Sequence, residues 1–333
     1  MNILLTGGTG YIGSHAAIVL IQAGHQITLF DNLSNSDKSV LDRLEKITHQ
    51  KMAFVEGDVR DTELLSKVLS QNKIDAVMHF AGLKAVDVSM KEPIKYFDNN
   101  VAGSISLIKA MQKNNIKTLV FSSSATVYGE PRYLPYDEDH PKNPINTYGQ
   151  TKLCVEEILH NLASADTGWS IAVLRYFNPV GAHASGLIGE KPQGVPNNLM
   201  PYLCQVASGK LEKLKVFGSD YETHDGTGER DYIHVMDLVE GHLAALDFID
   251  MTQGCHMINL GSGKSTTVLE LINAFEKINN IKIPYEIIER RSGDLPAYYA
   301  KADLAAKLFQ WKTKRSIDAM CESAWLWEKN KVK

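Results

Sequence analysis

The chain has 333 residues, 44% of them hydrophobic and 22% charged, with a formal net charge of −4. That length holds one large domain or two medium ones with ample core, and the composition is that of an ordinary globular protein. Dispersed Lys and Arg leave no basic footprint for nucleic acid, and no apolar run approaches the about 20 residues of a membrane span.

The N-terminus enters a strand directly, without a basic region or a small-residue cleavage site, so a cytoplasmic protein is expected. Cys154, Cys204, Cys255 and Cys321 form no close pair and read as buried free thiols. The histidines show no ligand spacing, and no metal is implied.

Residues 2–6 form a short apolar strand, followed by GGTGYIG at 7–13 and an amphipathic helix that stops at Gly24. Strand, glycine turn and helix are the setting a dinucleotide-binding loop needs. Glycines at 7, 10 and 13 let the backbone turn tightly, approach a pyrophosphate and pack helix on sheet. The helix N-terminus then offers N–H groups to the phosphates. A second strand at 26–30 runs into Asp31 and Asn32, where an acid suits the two hydroxyls of an adenosine ribose and repels a 2′-phosphate. NAD is therefore favoured over NADP.

A third strand at 52–56 ends in Gly57, Asp58 and Val59. A helix over 61–71 takes Asp61 as its N-cap. The fourth strand, 75–80, leads into Ala81, Gly82 and Lys84. Asp58 is placed to reach the adenine and Phe80 to Lys84 to cover pyrophosphate and ribose, although Lys84 alone equally suits a solvated surface. A long helix from about 94 to 114 carries Asn99 and leads to a strand at 118–121.

Ser122, Ser123 and Ser124 sit where that strand ends, the edge at which open α/β sheets bind ligands. Asn146 or Thr147 caps the next helix, on which Tyr148 and Lys152 lie four residues apart and share a face. A free phenol has a pKa of about 10, so a general base at neutral pH needs about three units of lowering, or about 4 kcal/mol. A cation one turn away and a positively charged nicotinamide favour the phenolate, with Ser124 bonding the same substrate hydroxyl. By itself a Tyr-x-x-x-Lys spacing is usually structural.

A sixth strand at 169–174 completes the alternation, which describes a Rossmann-type, doubly wound parallel α/β sheet. Residues 179–231 turn richer in Gly, Pro, His and Asn, the 234–248 helix and a strand near 257–259 return to the sheet, and 261–333 form a small α/β unit. GSGKST at 261–266 imitates a nucleotide-triphosphate loop but has Ile258 where the pattern needs glycine, so a helix start near Thr266 is the better reading.

The glycine triplet, Asp58, Ser124 and Tyr148-x-x-x-Lys152 together resemble the extended short-chain dehydrogenase/reductase family. The stretches TGGTGYIGSH, EGDVRD, HFAGLKAV, FSSSATVYG, RYFNPVGAH, PQGVPNNLMP, DGTGERDYIHVMDL and GDLPAY look like its branch that epimerises UDP-glucose and UDP-galactose at C4 on tightly bound NAD. The resemblance implies Tyr148 as catalytic base, Lys152 holding the nicotinamide ribose and lowering the phenol pKa, and Ser124 at the sugar O4. It implies NAD contacts from Gly7, Gly10, Tyr11, Ile12, Gly13, Asp31, Asn32, Asn35, Ser36, Asp58, Val59, Phe80, Ala81, Gly82, Lys84, Asn99, Ser124, Tyr148, Lys152 and Phe177. UDP-sugar contacts fall on Ser124, Tyr148, Asn178, Asn198, Leu199, Arg230, Arg291 and Asp294. Tyr298, two after the GDLP proline, implies a pocket too narrow for N-acetylated sugars.

The same resemblance divides the chain into an NAD-binding domain, 1–178 plus about 232–260, and a nucleotide-sugar domain, 179–231 and 261–333. It also implies a homodimer joined through the helices near 94–114 and 146–164. A 4,6-dehydratase is the nearest alternative enzyme, but it needs carboxylates where Ala125 and Thr126 stand. A reductase with exchangeable cofactor and a nucleotide sensor without turnover are the other readings, the latter opposed by the intact Tyr148 and Lys152.

Overall fold

A computed structural model describes residues 1–291 and 294–331; Gly293 of the GDLPAY stretch lies outside them. The chain begins β1 (Asn2–Thr6), α1 (Tyr11–Gln22), β2 (Gln26–Asp31), α2 (Ser39–Thr48), β3 (Ala53–Glu56), α3 (Thr62–Gln71) and β4 (Ala76–His79). Helix α2 is absent from the sequence reading; Leu44 is its one buried residue, so its core signal is thin. Asp61 caps α3 as expected, accepting from Leu64 N at 2.9 Å.

A short α4 (Val86–Lys91) comes next. The long helix expected over 94–114 follows as one continuous run, α5 (Pro93–Tyr96), a π-helical turn over Phe97–Ala102, and α6 (Gly103–Lys113). Such widened turns often mark functional sites, and this one carries Asn99 and Asn100. Then come β5 (Thr118–Ser122), α7 (Thr147–Ala165) and β6 (Ser170–Tyr176). Asn146 is the cap of α7, accepting from Gly149 N at 2.8 Å.

The remaining elements are β7 (Asn178–Val180), α8 (Leu199–Ala207), β8 (Leu214–Phe217), β9 (Glu229–His234), α9 (Val235–Asp250) and β10 (Gly254–Leu260). They are followed by β11 (Ser265–Thr267), α10 (Val268–Asn279), β12 (Tyr285–Ile288), β13 (Ala297–Tyr298), α11 (Asp303–Phe309) and α12 (Ile317–Lys331). Seven parallel strands form the main sheet in the order β3-β2-β1-β4-β5-β6-β10, so the chain does return to it after the excursion through β7 to β9.

Strand alternation explains the layers, because successive side chains point to opposite faces. Ile3, Leu5, Met78, Val120 and Leu174 pack with α1 and α9 on one side. Leu4, Val77, Phe121 and Val173 pack with α3, α6 and α7 on the other. Both faces are covered, as a parallel sheet requires. A separate cluster joins α8, α10 and α12 around Leu203, Phe275 and Met320.

Four histidines are sealed in these layers. Burial lowers His15 and His79 to about 3 and His234 and His242 to about 4. With folded values below the unfolded one near 6.5, their stability contribution is whole above that pH and is lost as pH falls. Each removes up to about 1.4 kcal/mol per pH unit. Urea midpoints are therefore expected to drop steadily between pH 7 and pH 5; a flat profile would contradict the burial.

Candidate active site

The turn after β1 is built so that only glycine fits. Gly7 has φ +67°, and a Cβ there would lie 2.7 Å from Ala81 N. A Cβ on Gly13 would strike the Gly7 carbonyl, and one on Gly10 would sit 3.2 Å from the same oxygen. Helix α1 has Gly10 as its N-cap residue, with no side-chain cap and no acid in its first turn. Its N–H groups and dipole are thus left for an outside anion, and Tyr11 and Ile12 begin that turn half-buried.

At the end of β2 the Asp31 carboxylate accepts from Thr9 N at 3.1 Å and Leu33 N at 2.9 Å, and Ser36 Oγ joins Thr9 Oγ1 at 2.7 Å. Asn32 donates to Asp58 at 3.1 Å, while Asn35 is exposed. Arg60 forks onto Asp58 through Nε and Nη2, both at 2.8 Å, and holds its carboxyl well below the usual range. Val59 is buried against Gly103, and the Phe80 ring stands 5.1 Å from His242. This cluster of glycines, acids and an uncapped helix end suits a dinucleotide with a free 2′-hydroxyl.

Gly82 bridges that cradle to the chemistry. A Cβ on it would lie 3.3 Å from Asn100 Oδ1 and 3.7 Å from Lys152 Nζ. Asn100 grips Leu83 through both backbone atoms, at 2.8 and 3.0 Å, and also donates to Thr151 on α7 at 3.1 Å. Asn99, one residue earlier, is half-buried.

Tyr148, Lys152 and Ser124 converge and are all buried. Lys152 Nζ donates to Ser122 O at 2.6 Å and lies 4.9 Å from the Phe121 ring centroid and 5.9 Å from that of Tyr148. Ser124 Oγ accepts from Thr126 N at 3.2 Å and Thr126 Oγ1 at 2.9 Å, so its own proton is free to be donated. Burial lowers Lys152 to about 8, with Glu156 pulling it back up. The Tyr148 phenol departs from the sequence expectation. Burial pushes it up, Tyr176 adds to this, and the Ser124 hydroxyl pulls it down by less. In the protein part of the site, desolvation is the largest influence on the phenol.

The other half of the site comes from the C-terminal elements. Asn178 opens β7 and donates to Asp231 O at 3.4 Å; Phe177 is buried against Tyr298, ring centroids 5.0 Å apart. Arg230 lies 3.5 Å from Asp294 and also donates to Leu295 O, and the Arg291 guanidinium lies 3.7 Å from the Phe217 ring centroid. Asn198 precedes α8, which starts at the half-buried Leu199. The Tyr298 hydroxyl is buried with no partner among the described residues.

The sequence reading missed Glu190. Its Oε1 accepts from Lys84 Nζ at 2.6 Å and from Asn198 Nδ2 at 3.1 Å, tying the loop after β4 to the one before α8. No spacing rule joins positions so far apart, and Asn100, which reaches Leu83 and Thr151, was missed for the same reason. The rejected GSGKST loop is also explained. Ser262 N and Gly263 N donate to the buried Asp231 carboxylate at 2.8 and 3.0 Å, so its amides already hold an anion. Thr267 rather than Thr266 caps α10, in a capping box with Glu270.

The family model for the NAD dependent epimerase/dehydratase family matches residues 3–261. A UDP-glucose 4-epimerase of Neisseria meningitidis serogroup C is 53% identical over 330 residues, 99% of this chain and 97% of that protein. The UDP-glucose-4-epimerase of Stenotrophomonas maltophila, solved with NAD and formylated UDP-arabinopyranose, superposes with a TM-score of 0.98 at 48% identity, covering 100% of this chain and 99% of that one. The Bifidobacterium longum enzyme, solved with NAD+ and UDP, gives 0.95 at 48% identity, over 99% and 98%. A match over most of the length and relatives half identical from end to end lead to one conclusion: this chain belongs to the NAD dependent epimerase/dehydratase family.

Proposed function

We propose that this chain is an NAD-dependent isomerase that interconverts UDP-glucose and UDP-galactose at C4 through a 4-keto intermediate. The observation that carries the reading is the convergence of buried Tyr148, Lys152 and Ser124 beside the Gly82 loop, in a chain half identical to curated enzymes of that activity. Bound NAD supplies the hydride acceptor and donor for C4.

The protein's own part is proton handling and orientation. Tyr148 takes the O4 proton and returns it, and a phenol held this high by burial ionises only with positive charge close by. Lys152, charged below about pH 8, is the protein's contribution to that charge. Ser124 has both acceptor positions filled by Thr126 and donates its hydrogen toward the reacting oxygen. Arg230 and Arg291 suit the pyrophosphate because a guanidinium forks onto phosphate oxygens. Asn178, Asn198, Leu199 and Asp294 complete the nucleotide-sugar side, and the NAD side takes the cradle from Gly7 to Lys84 with Asn99 and Phe177. The division into 1–178 plus about 232–260 for the cofactor, and 179–231 plus 261–333 for the UDP-sugar, follows the same reading.

A homodimer through the 94–114 and 146–164 helices is part of the proposal. Its support is an apolar surface beside them: Ile94 is 79% exposed and Met90 58%. No helix among the described residues is long and apolar enough to cross a membrane. This fits the cytoplasmic placement we propose.

Incubating the purified chain with UDP-galactose and no added cofactor is expected to yield UDP-glucose, because NAD stays bound. Tyr148→Phe is expected to lose about a hundred- to ten-thousand-fold in kcat with its fold intact; wild-type turnover would move the base elsewhere. With Tyr298 packed on Phe177, UDP-N-acetylglucosamine is expected to turn over at least tenfold more slowly than UDP-glucose, and comparable rates would remove Tyr298 from the specificity argument. Sedimentation is expected to show a dimer that Ile94→Asp shifts toward monomer; a wild-type monomer would refute the interface.

A further inference from the structure

Beneath the site lies a buried ion pair that the proposed chemistry leaves unassigned. Glu156 stands one turn past Lys152 on α7, and Arg175 lies in β6; their side chains are 2% and 1% exposed. Arg175 reaches both carboxylate oxygens, with Nε 3.0 Å from Oε1 and Nη2 2.7 Å from Oε2. Ser123 Oγ donates to the same Oε1 at 2.5 Å.

The consequence is geometric. Ser122, Ser123 and Ser124 are consecutive at the end of β5. Helix α7 holds the first through Lys152 on its carbonyl and the second through Glu156 on its hydroxyl. Two adjacent strand residues are thereby gripped by two side chains one helical turn apart, and the third residue presents the hydroxyl at the reacting oxygen. An isolated buried ion pair adds little to stability compared with apolar packing of the same volume. One that fixes the relative position of a base, a cation and a donor serves the reaction instead.

We propose that Glu156, held by Arg175, is a positioning residue for the reaction: it locks the Ser122–Ser124 turn against the helix of Tyr148 and Lys152 and places a carboxylate one helical turn from the Lys152 ammonium. The inference rests on the assignment of Tyr148, Lys152 and Ser124 above. Lys152 faces Tyr148 and Glu156 on its own helix and His79 from β4. Tyr148 in turn faces Tyr176 from β6 and Tyr96 from α5. Glu156 faces Arg175 and Ser123, with Tyr128 and Cys255 near enough to feel its charge. Among these, Glu156 alone is an acid acting on Lys152, whose burial otherwise drives it to lose its proton.

Three variants of the NAD-loaded enzyme test this, each checked by circular dichroism and melting. Ser123→Ala breaks the clamp without touching the ion pair and is expected to lower kcat about tenfold with KM for UDP-galactose unchanged. Glu156→Gln keeps the shape and removes the charge. It is expected to move the alkaline limb of kcat against pH lower by half a unit or more, while Ser123→Ala leaves that limb in place. Tyr148→Phe is the control. If it is inactive while Ser123→Ala and Glu156→Gln both keep wild-type kcat and the wild-type limb, the positioning role is wrong and the site assignment stands. If Tyr148→Phe is active, both fall. Should Glu156→Gln fail to fold, wild-type kcat in Ser123→Ala overturns the clamp by itself.

Discussion

An ammonium taken out of water must find oxygen, and here the oxygen is a main-chain carbonyl. Lys152 Nζ meets Ser122 O at 2.6 Å, at the last residue of β5. That contact joins the sheet edge to the helix carrying Tyr148, and the rest of the site is arranged around it. It is costly by itself, since burial drives the lysine toward its neutral form and the phenol toward keeping its proton.

Around that contact the fold supplies fixed walls. The Gly82 loop comes close enough to Lys152 that a single methyl would fill the gap, and Asn100 pins the loop through both backbone atoms of Leu83. The widened π turn puts Asn100 where it reaches that loop and Thr151 together. Glu190 performs a comparable join farther out, holding Lys84 and Asn198 on one oxygen. Each is a side chain linking segments distant in sequence, so each reports on the folded chain and not on any local pattern.

The C-terminal elements show how similar sequences come to do different work. GSGKST has glycine, lysine and hydroxyl residues in a turn before a helix, yet its amides close on Asp231. That inward use anchors the strand bearing Arg230, the adjacent residue, whose guanidinium sits beside Asp294. Tyr298 lies on the strand paired with β9, which brings its hydroxyl, without a partner among the described residues, toward the same space as Tyr148.

The sequence by itself determined what depends on near neighbours. Short apolar strands, the glycine turn, the acid ending β2, the caps Asp61 and Asn146 and the one-turn spacing of Tyr148 and Lys152 are all local consequences of residue order. The motifs along the chain carried the family and with it the cofactor and substrate class. Only the tertiary structure decided the burial of Tyr148, the π turn within the long helix and the Glu156–Arg175 pair under the site. Desolvation and long-range pairing are set by what surrounds a group once the chain has packed, and 19 positions separate Glu156 from Arg175 along the chain.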